Sequence, residues 1–514
     1  MKLSRILSAL DRELLPGRTG PAGADPEILD LTEDSRAVRE GSLFFARAGQ
    51  KTSGLRFVRE AVSRGARAVI SDEDIPGLTV PAARVASMSR AQSAAADFFY
   101  GHPSGRLRVV GVTGTNGKTT FTYLLEAVAV EAGWRTGVIG TVNYRLPIQG
   151  GTGVETIAAP NTTPNALVLQ RALHEMRGRG ADLAVLEVSS HALELDRADR
   201  VDFDGAVFTN LTQDHLDFHK DMEGYFAAKS KLFSRMTSEP KAIPGSKGRP
   251  GKFCIINMDD AYGKKMADAC AVRPTGYGID SQAEITAKNL RLESRESRFD
   301  LRLLDGAGRA LPAAQAVIRL PGRHNVQNAL AAAGAAGLLG IPLPVILKGL
   351  ARLESVPGRL EPIDCGQDFT VVVDYAHTED ALRNVLKAVR HLAGKRVLTL
   401  FGCGGDRDRS KRPLMGAAAT ELSDFCVITS DNPRSEDPSR IALDVEVGIH
   451  RAGRKNYEIV IDRKEAIARI LQMARPGDWV LLAGKGHETV QIFADKRVQF
   501  DDREIARQFL SGRA

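Results

Sequence analysis

Cysteine is scarce in this sequence, and its few positions form no pattern. The 514 residues include five cysteines: Cys254, Cys270, Cys365, Cys403 and Cys426. None of them stands in a Cys-X-X-Cys pair or in another metal-ligand spacing. An odd, dispersed set argues against a disulfide-built scaffold and favours a reducing compartment, so we expect the protein in the cytoplasm.

Long apolar runs are also missing. No stretch approaches the roughly 18 uninterrupted apolar residues that a membrane-spanning helix needs. Residues 1–15 place Lys2, Arg5 and Glu13 among leucines. This mixture predicts an amphipathic helix and not a secretion signal, because a signal needs an unbroken apolar core. We therefore expect no membrane span.

A strong charge of one sign is absent as well. The chain has 70 Lys and Arg residues against 63 Asp and Glu residues, which gives a formal net charge of +7. No cluster of basic and aromatic residues is suited to stacking on bases. We therefore expect no nucleic-acid partner and assign the basic excess to small anionic ligands and solubility.

What remains is an ordinary globular composition, with 43% hydrophobic and 26% charged residues, and a length that predicts several domains. Apolar strands alternate with helices, which predicts an α/β fold with mostly parallel sheets. We predict a small N-terminal α/β domain (1–105), a central P-loop domain with a mostly parallel sheet (106–355) and a C-terminal Rossmann-like α/β domain (356–514). Residues 238–251 are rich in Pro, Gly and Lys and predict an exposed, mobile loop.

The most specific motif follows the predicted strand Leu107–Val112. It consists of Gly114, Thr115, Asn116, Gly117, Lys118, Thr119 and Thr120, and a helix-forming run comes next. Glycines let backbone N–H groups surround phosphates, Lys118 can neutralise phosphate charge, and the Thr119 hydroxyl can bind Mg²⁺. Val112 stands where the strict P-loop pattern has glycine, so the motif is a variant nucleotide-triphosphate loop.

Two further segments carry metal-binding side chains. Glu187 ends the predicted strand Leu183–Val188, where a carboxylate near a P-loop can hold Mg²⁺ directly or through water. Residues 209–219 contain two Asp and two His residues. They indicate either a hydrogen-bonded loop or a second metal or phosphate site that uses His215. Lys229 lies on a predicted helix, where a lysine normally faces solvent, and nothing in the helical periodicity singles it out.

The last third of the chain predicts an amino-acid pocket. Its strands Thr370–Val373, Val397–Phe401, Cys426–Thr429 and Trp479–Ala483 each run into a polar or glycine-rich loop, and ligands bind beyond the carboxyl ends of such strands. Arg434 can pair with a carboxylate, and Glu488 can receive an ammonium. The two would together hold a zwitterionic amino acid, although opposite charges on loops also pair by chance.

Ten motifs, in order along almost the whole chain, resemble the Mur ligase family, which builds the stem peptide of peptidoglycan. They are TGTNGKTT, LEVSSHAL, NLTQDHLDFH, YFAAKSKLF, PGRHNVQNALAA, VPGRLE, VDYAHTEDAL, FGCGGDRDRSKRPLM, DNPR and AGKGHE. The resemblance implies that ATP phosphorylates the D-Glu side-chain carboxylate of UDP-MurNAc-L-Ala-D-Glu. The amine of an incoming amino acid then attacks the acyl phosphate, giving an amide, ADP and phosphate.

The resemblance also implies residue roles. The catalytic positions are Lys118, Lys229, His215 and Glu187. The metal positions, for Mg²⁺, are Thr119, Glu187, His215 and Lys229 as a carbamate (N6-carboxylysine). The ATP positions are Gly114 to Thr120, Asn325, Arg359 and Asp374. The UDP-MurNAc-dipeptide positions are Ser35, Asn161, Thr162, Thr163, Ser189 and Arg197. The amino-acid positions are Arg407, Asp431, Asn432, Pro433, Arg434, Gly484 and Glu488.

The incoming amino acid is expected to be meso-diaminopimelate. DNPR is the form found in the diaminopimelate-adding branch, and Arg434 facing the far end of the substrate would reward its second carboxylate. L-Lysine or ornithine is the alternative. Two other activities stay open: a folylpolyglutamate synthase-like ligase, and a P-loop switch protein that hydrolyses ATP without ligation. We expect a monomer.

Overall fold

The computed structural model describes residues 1–10, 13–16, 19, 21, 23–47, 53–151, 153–241, 251–293 and 295–512. Most of the predicted loop 238–251 lies outside these residues. The chain forms two compact units: the first contains residues 1–111, 135–205 and 235–252, and the second contains residues 112–134, 206–234 and 253–514. The three domain boundaries proposed from the sequence stay predictions. Across the described residues, no helix has the length and apolarity needed to cross a bilayer.

The N-terminal segment, in the first unit, is a four-stranded parallel sheet between helices. Its elements are α1 (Leu3–Ser8), β1 (Asp30–Thr32), β2 (Ser42–Ala46), α2 (Val58–Ser63), β3 (Ala66–Ser71), β4 (Ala82–Arg84) and α3 (Met88–Phe99). The strands are ordered β1-β2-β3-β4. Alternate β2 side chains are buried on opposite faces, with Phe45 packed among α1 and α3 residues and Phe44 among α2 residues. This two-sided burial follows from the period of two in a strand.

The middle segment alternates strands and helices. Its first elements are β5 (Arg108–Thr113), α4 (Lys118–Glu131), β6 (Thr136–Ile139), β7 (Asn143–Pro147), β8 (Val154–Ala158), α5 (Ala166–Gly178), β9 (Leu183–Glu187), α6 (Ser190–Glu194), β10 (Gly205–Phe208), α7 (Leu216–His219) and α8 (Met222–Ser234). They continue with β11 (Phe253–Asn257), α9 (Gly263–Asp268), β12 (Pro274–Gly278), β13 (Ile285–Leu292), β14 (Ser297–Arg302), β15 (Ala314–Ile318), α10 (Arg323–Leu338) and α11 (Leu343–Arg352).

Both units contain parallel pairs next to antiparallel ones in this segment. In the first unit, β6 pairs with β9 in parallel, and β7 and β8 extend from β6 as antiparallel strands. In the second unit, β11, β12 and β13 pair in parallel, and β14 and β15 follow as antiparallel strands. Parallel strands therefore carry the loops of the site, while antiparallel strands extend the sheet away from them.

The last segment, in the second unit, is a six-stranded α/β sheet with one antiparallel edge. Its elements are β16 (Glu361–Ile363), β17 (Thr370–Asp374), α12 (Glu379–Leu392), β18 (Val397–Phe401), α13 (Lys411–Leu422), β19 (Phe425–Ile428), α14 (Pro438–Arg451), β20 (Tyr457–Ile459), α15 (Arg463–Met473), β21 (Trp479–Ala483), β22 (Val490–Ile492), β23 (Arg497–Gln499) and α16 (Asp502–Ser511). The order is β16-β17-β21-β18-β19-β20, and β22 pairs with β23 separately.

This last sheet confirms the predicted C-terminal α/β architecture. Except for the antiparallel β16–β17 pair, its neighbouring strands run in parallel. One core lies on each face: Leu386 and Val445 belong to one, and Ile467 and Ile470 to the other. The carboxyl ends of β17, β18, β19 and β21 consequently share one edge, where the predicted pocket loops begin.

Candidate active site

The P-loop backbone is shaped by two glycines that tolerate no side chain. A Cβ atom on Gly114 would lie 1.8 Å from the Thr209 hydroxyl oxygen, and one on Gly117 would lie 2.4 Å from Asn328 Oδ1. Gly117 also has a φ of +86°, which L residues rarely adopt. The loop turns directly into α4, whose first residue is Lys118. The backbone N–H groups at that helix start form a setting suited to phosphate.

Two lysine amines meet at the same carbonyl oxygen of the P-loop. Lys118 Nζ donates to Gly114 O and Thr115 O, both at 2.8 Å, and Lys229 Nζ donates to Gly114 O at 2.9 Å. Lys229 is only 1% exposed. The solvated position expected for a helical lysine is therefore wrong for Lys229. This face of helix α8 is turned inward: Lys229 Nζ lies 4.5 Å from the centre of the buried Tyr225 ring, and the Tyr225 hydroxyl lies 3.3 Å from the Thr115 hydroxyl of the P-loop.

The surroundings of Lys229 disfavour its charged form. Burial is the largest cause, the nearby Lys118 charge adds to it, and Asp214 opposes it only in part, so the pKa of Lys229 lies well below its usual value. A neutral amine is the nucleophilic form of lysine. The neutral, nucleophilic form of Lys229 is therefore favoured more than in an exposed lysine, and its modification to a carbamate stays a prediction.

His215 lies at the start of α7 in a left-handed backbone conformation, with a φ of 55°. Its Nε2 atom is 3.3 Å from Asp214 Oδ2. Burial acts to raise the pKa of Asp214, but His215, His377 and Lys411 outweigh it and lower the pKa to about 2. Asp214 is thus a buried carboxylate that stays ionised. Strained backbone and a fixed charge at one loop are typical of functional sites.

The last segment contacts the P-loop through two side chains. Arg359 Nη2 donates to the Thr119 hydroxyl at 3.1 Å, and its guanidinium lies 4.8 Å from the centre of the Tyr375 ring. Asp380 Oδ2 accepts hydrogen bonds from Asn116 Nδ2 at 3.0 Å and from the Thr212 hydroxyl at 3.1 Å. Sequence reasoning selected Arg359 but missed Asp380, because an acid in the first turn of a helix normally indicates only a helix start.

Asn325 and Asp374 reach the site indirectly. Asn325 Oδ1 accepts from Asn328 Nδ2 at 3.4 Å, and Asn328 in turn lies against Gly117. The two carboxylate oxygens of Asp374 accept backbone N–H groups of Leu360 and Ala376, each at 2.8 Å. Asp374 therefore organises the loop that presents Arg359. Direct contact of either residue with ATP stays a prediction.

The loops after β18, β19 and β21, which carry the predicted amino-acid residues, lie against one another. A Cβ atom on Gly402 would lie 2.9 Å from Asp431 N, and one on Gly484 would lie 3.1 Å from Asp431 Oδ2. Both glycines thus leave room for the Asp431 loop. Arg434 has a φ of 51°, and its guanidinium donates to Gly405 O at 2.7 Å. Burial and the neighbouring Arg407 charge lower the pKa of Arg434.

The carboxylate predicted to receive the ammonium already has partners. Glu488 Oε2 accepts from Asn432 Nδ2 at 2.7 Å and from Lys485 Nζ at 3.1 Å, and Glu488 Oε1 accepts from the Tyr375 hydroxyl at 3.4 Å. Asp431 is 6% exposed, and its Oδ1 atom is buried without a hydrogen-bond partner. Asp431 is therefore as good a candidate for the ammonium as Glu488. Of the remaining predicted residues, Pro433 is buried and Arg407 is exposed.

In the first unit, Glu187 is held by a threonine that sequence reasoning missed. Thr141 donates its backbone N–H to Glu187 Oε1 at 3.0 Å and its hydroxyl to Oε2 at 2.8 Å. The hydroxyl oxygens of Thr141 and Thr162 lie 3.0 Å apart. Thr163 joins the same cluster, because its hydroxyl donates to Glu187 O at 2.7 Å and accepts from Ser189 N at 3.0 Å.

The other predicted residues of the first unit surround this cluster. Arg197 Nη1 donates to Thr163 O at 3.0 Å, and burial lowers the pKa of Arg197. Asn161 is exposed, and its carbonyl accepts from the Tyr144 hydroxyl at 2.7 Å. Ser35 is buried in a short 3₁₀ helix that Asp34 caps. The hydroxyls, amides and guanidinium could bind a polar, anionic ligand, and the metal set that combines Glu187 with residues of the second unit stays a prediction.

Comparison with known proteins was made for domain families, curated sequences and solved structures. Three domain families match: the Mur ligase family, catalytic domain, at residues 27–100, the Mur ligase middle domain at 112–336 and the Mur ligase, glutamate ligase domain at 358–486. A UDP-N-acetylmuramoyl-L-alanyl-D-glutamate–2,6-diaminopimelate ligase of Solibacter usitatus is 44% identical over 100% of this chain and 99% of its own. A ligase of the same name from Bacillus cereus is 41% identical over the same shares.

Solved structures agree in fold. A structure of a UDP-N-acetylmuramoyl-L-alanyl-D-glutamate–2,6-diaminopimelate ligase has a TM-score of 0.62 and 32% identity, covering 95% of each chain. The fold is shared with MurF of Acinetobacter baumannii, with a TM-score of 0.67 at 19% identity over 99% of this chain and 98% of that one. It is also shared with folylpolyglutamate synthase of Mycobacterium tuberculosis, with a TM-score of 0.60 at 18% identity over 82% and 95%.

Proposed function

We infer the reaction from one premise, that this chain belongs to the Mur ligase family. The protein is an ATP-dependent ligase that joins an amino acid to UDP-MurNAc-L-Ala-D-Glu, and the amino acid is meso-diaminopimelate. Full-length relatives at 40–44% identity are named for this activity. Because these substrates belong to peptidoglycan precursor synthesis, we propose that the reaction takes place in the cytoplasm.

One observation carries the proposal: the P-loop and the amino-acid pocket belong to the same compact unit, and Arg359 connects the last segment to Thr119 of the P-loop. A ligase of this type has to pass an activated carboxylate from the phosphate site to the amine. A protein that only hydrolyses ATP does not need a second group of charged loop residues in the same unit, joined to the P-loop by the contact between Arg359 and Thr119.

The chemistry requires two displacements. An oxygen of the D-Glu side-chain carboxylate attacks the γ-phosphorus of ATP, and the bond to ADP breaks. The free amine of the amino acid then attacks the acyl carbon, loses a proton and expels phosphate. The Lys118 amine lies at the P-loop, and its proposed role is to offset negative charge on the transferred phosphoryl group. The P-loop N–H groups would hold that phosphoryl group in position.

Mg²⁺ fits this site only after one change. Among the described residues, no three His, Cys, Asp or Glu side chains are grouped as a metal-ion site, and two lysine amines share Gly114 O. A carbamate on Lys229 would replace a cation by an oxygen ligand that hard cations prefer. With it, Thr119 and His215 are the residues of the second unit proposed to hold Mg²⁺, which would stabilise the phosphoryl charge. The role of Glu187 as a metal ligand stays a separate prediction.

Diaminopimelate is favoured over lysine by charge. Its far end carries a carboxylate and an ammonium, and the pocket offers the Arg434 guanidinium beside Asp431 and Glu488. With lysine, the partly buried Arg434 guanidinium would lack the carboxylate that diaminopimelate brings, and the binding free energy of that charge pair would be lost. L-Lysine or ornithine remains the alternative substrate. The folylpolyglutamate synthase-like activity has only fold similarity in its favour.

The experiment is a purified-protein assay of ADP release, with mass spectrometry of the product. We expect ADP release that requires UDP-MurNAc-L-Ala-D-Glu and an amino acid together, with formation of the UDP-MurNAc-tripeptide. Diaminopimelate should give the higher kcat/KM than lysine. The Lys118→Ala protein serves as the inactive control. ADP release independent of both substrates, or faster turnover with lysine, would contradict the proposal.

A further inference from the structure

Lys485 is a fully buried lysine inside the amino-acid pocket. Its side chain is 0% exposed. Its Nζ atom donates to Glu488 Oε2 at 3.1 Å, to Asn432 Oδ1 at 3.2 Å and to Val490 O at 2.7 Å, and it lies 3.7 Å from Asp431 Oδ1. The ammonium thus stands between the two acidic side chains that face the pocket.

The charges of the pocket can be counted from these contacts. Asp431 and Glu488 contribute two negative charges, and Arg434 and Lys485 contribute two positive ones. Arg407 is exposed to solvent, which screens its charge, and its guanidinium donates to the backbone carbonyl of Asp406, so it is left out of this count. These four groups therefore sum to zero, and the fully buried Arg463–Asp502 pair adds no net charge, which matches a substrate end that is zwitterionic.

Removing the Lys485 charge would change that sum to minus one. Asp431 and Glu488 both act on Arg434 and stabilise its positive charge. With Lys485 gone, both carboxylates would be free to compensate the guanidinium and to attract an ammonium. The pocket would then match a substrate end that carries an ammonium without a carboxylate, as in lysine. Charges at contact distance in a partly buried site interact strongly enough to change selectivity at least tenfold.

We propose that Lys485 is a specificity-determining residue, which sets the net charge of the pocket to zero and so selects an amino acid with a zwitterionic far end. This inference rests on the proposed function. Lys485 is no ligand of the substrate carboxylate in this scheme, since the three groups to which its ammonium donates belong to the protein. It acts by neutralising Glu488 and by holding Asn432, while the buried Asp431 Oδ1 atom keeps room for the substrate ammonium.

The test compares kcat/KM for meso-diaminopimelate with kcat/KM for L-lysine in the same assay. Lys485→Met removes the charge and the hydrogen bonds, and Lys485→Gln removes the charge but keeps a donor. For both variants we expect the ratio of the two kcat/KM values to fall at least tenfold. In the double variant Lys485→Met/Glu488→Gln the buried charges again sum to zero, so the ratio should return toward the wild-type value. Lys496→Met, at an exposed position of the same segment, should leave the ratio unchanged.

A purely structural lysine would give a different result. Partial unfolding lowers the active concentration for both amino acids equally, so the ratio of the kcat/KM values would stay constant. A constant ratio in both single variants overturns the inference. Loss of turnover with both amino acids in both variants also counts against it, because charge balance predicts that lysine is still used. If the wild-type protein fails to ligate diaminopimelate, the proposed function itself is wrong.

Discussion

Lys229 combines full burial with a position beneath the P-loop, and its chemistry follows from that combination. Its pKa is lowered by burial and by Lys118, so at a given pH a larger fraction of this amine is neutral than in an exposed lysine. Carbon dioxide adds to neutral amines and gives a carbamate. The amine loses one proton to solvent in this addition, so the charge at this position would change from zero to negative without any change of sequence.

Replacing Lys229 by alanine tests this conclusion. Lys229→Ala should abolish ligation, and a small added carboxylate such as acetate should restore part of it, because the lost group is an anion and not an ammonium. Turnover is measured against carboxylate concentration, with Lys264→Ala at an exposed position as the control. If added carboxylate does not restore activity, and high-resolution density shows an unmodified Lys229 Nζ, the proposed carbamate is wrong.

Arg463 is a second buried charge, and it fastens two pocket loops together. It forms a paired hydrogen bond with Asp502, at 2.8 and 2.6 Å, and both side chains are 0% exposed. Its guanidinium also donates to Ser430 O at 3.4 Å and to Ala483 O at 2.9 Å. Those two carbonyls immediately precede the loops that carry Asp431 and Gly484.

Arg463→Met should therefore lower both stability and amino-acid affinity. Loss of one partner of a buried ion pair costs about 3–5 kcal/mol, because Asp502 remains without compensation. Thermal unfolding should recover largely in Arg463→Met/Asp502→Leu, whereas KM for the amino acid stays raised, since the two carbonyls still lack their donor. An unchanged KM in the double variant would show that Arg463 serves stability alone.

Some of these side chains could be predicted from the sequence and some could not. Lys118, Thr119 and Arg434 belong to motifs whose residue types and spacing carry their chemistry. Lys485 and Arg463 gain their importance from burial among charges of distant segments, and burial of a lysine or an arginine runs against their usual exposure. Sequence reasoning therefore assigned Lys229 to the surface, where most helical lysines do lie.

Helix α12 shows how an ordinary element acquires a role in the site. Thr378 caps it by accepting from Ala381 N, and Glu379 and Asp380 lie in its first turn, as is usual for helix starts. The same turn brings Asp380 onto Asn116 and Thr212. The first turn of α12 thus fixes one side of the P-loop.

Asp380→Ala should weaken ATP use more than it weakens the fold. A hydrogen bond to a charged group contributes about 1.5–3 kcal/mol, so loss of these bonds should lower kcat/KM for ATP by roughly tenfold or more. Glu379→Ala is the matched control, because Glu379 pairs with Arg383 on its own helix. Equal ATP kinetics in the two variants, measured with saturating amino acid, would contradict a role for Asp380.

The strands themselves were largely predictable. The predicted strand Leu107–Val112 is observed as Arg108–Thr113, and the predicted strand Val397–Phe401 is observed with the same bounds. Continuous apolar runs determine these elements locally. The pairing of Asp380 with the P-loop was not predictable, because the two partners are separated by 264 residues for Asn116 and 168 for Thr212.

At the scale of the whole molecule, we expect the free energy of unfolding to depend on pH through buried groups of the second unit. Burial lowers the pKa of both His324 and His377 to about 4. Since the unfolded chain binds protons near pH 6.5 and the folded one does not, stability falls as pH decreases from about 6.5 toward 4. The lowered pKa of Asp214, about 2, gives a contribution that is lost only at pH values below about 3.8.

Urea unfolding measured between pH 7 and pH 5 checks this response. The free energy of unfolding of the wild-type protein should decrease as the pH is lowered, by up to about 1.4 kcal/mol per pH unit for each histidine in the steepest part. The urea midpoint should fall with it. His324→Gln/His377→Gln should show a flatter profile over the same interval. A wild-type midpoint that rises toward pH 5, or a double variant with an equally steep profile, would contradict this assignment.

The left-handed backbone at Arg434 has an evolutionary consequence. A non-glycine residue in this region costs about 1–3 kcal/mol, and here the conformation is held by Arg434 N on Ile492 O and by the guanidinium on Gly405 O. Glycine at this position would relieve the cost but would delete the cation. Selection for heat tolerance alone would therefore favour glycine here, so an arginine at this position is expected where its cation is needed for the proposed recognition of a carboxylate.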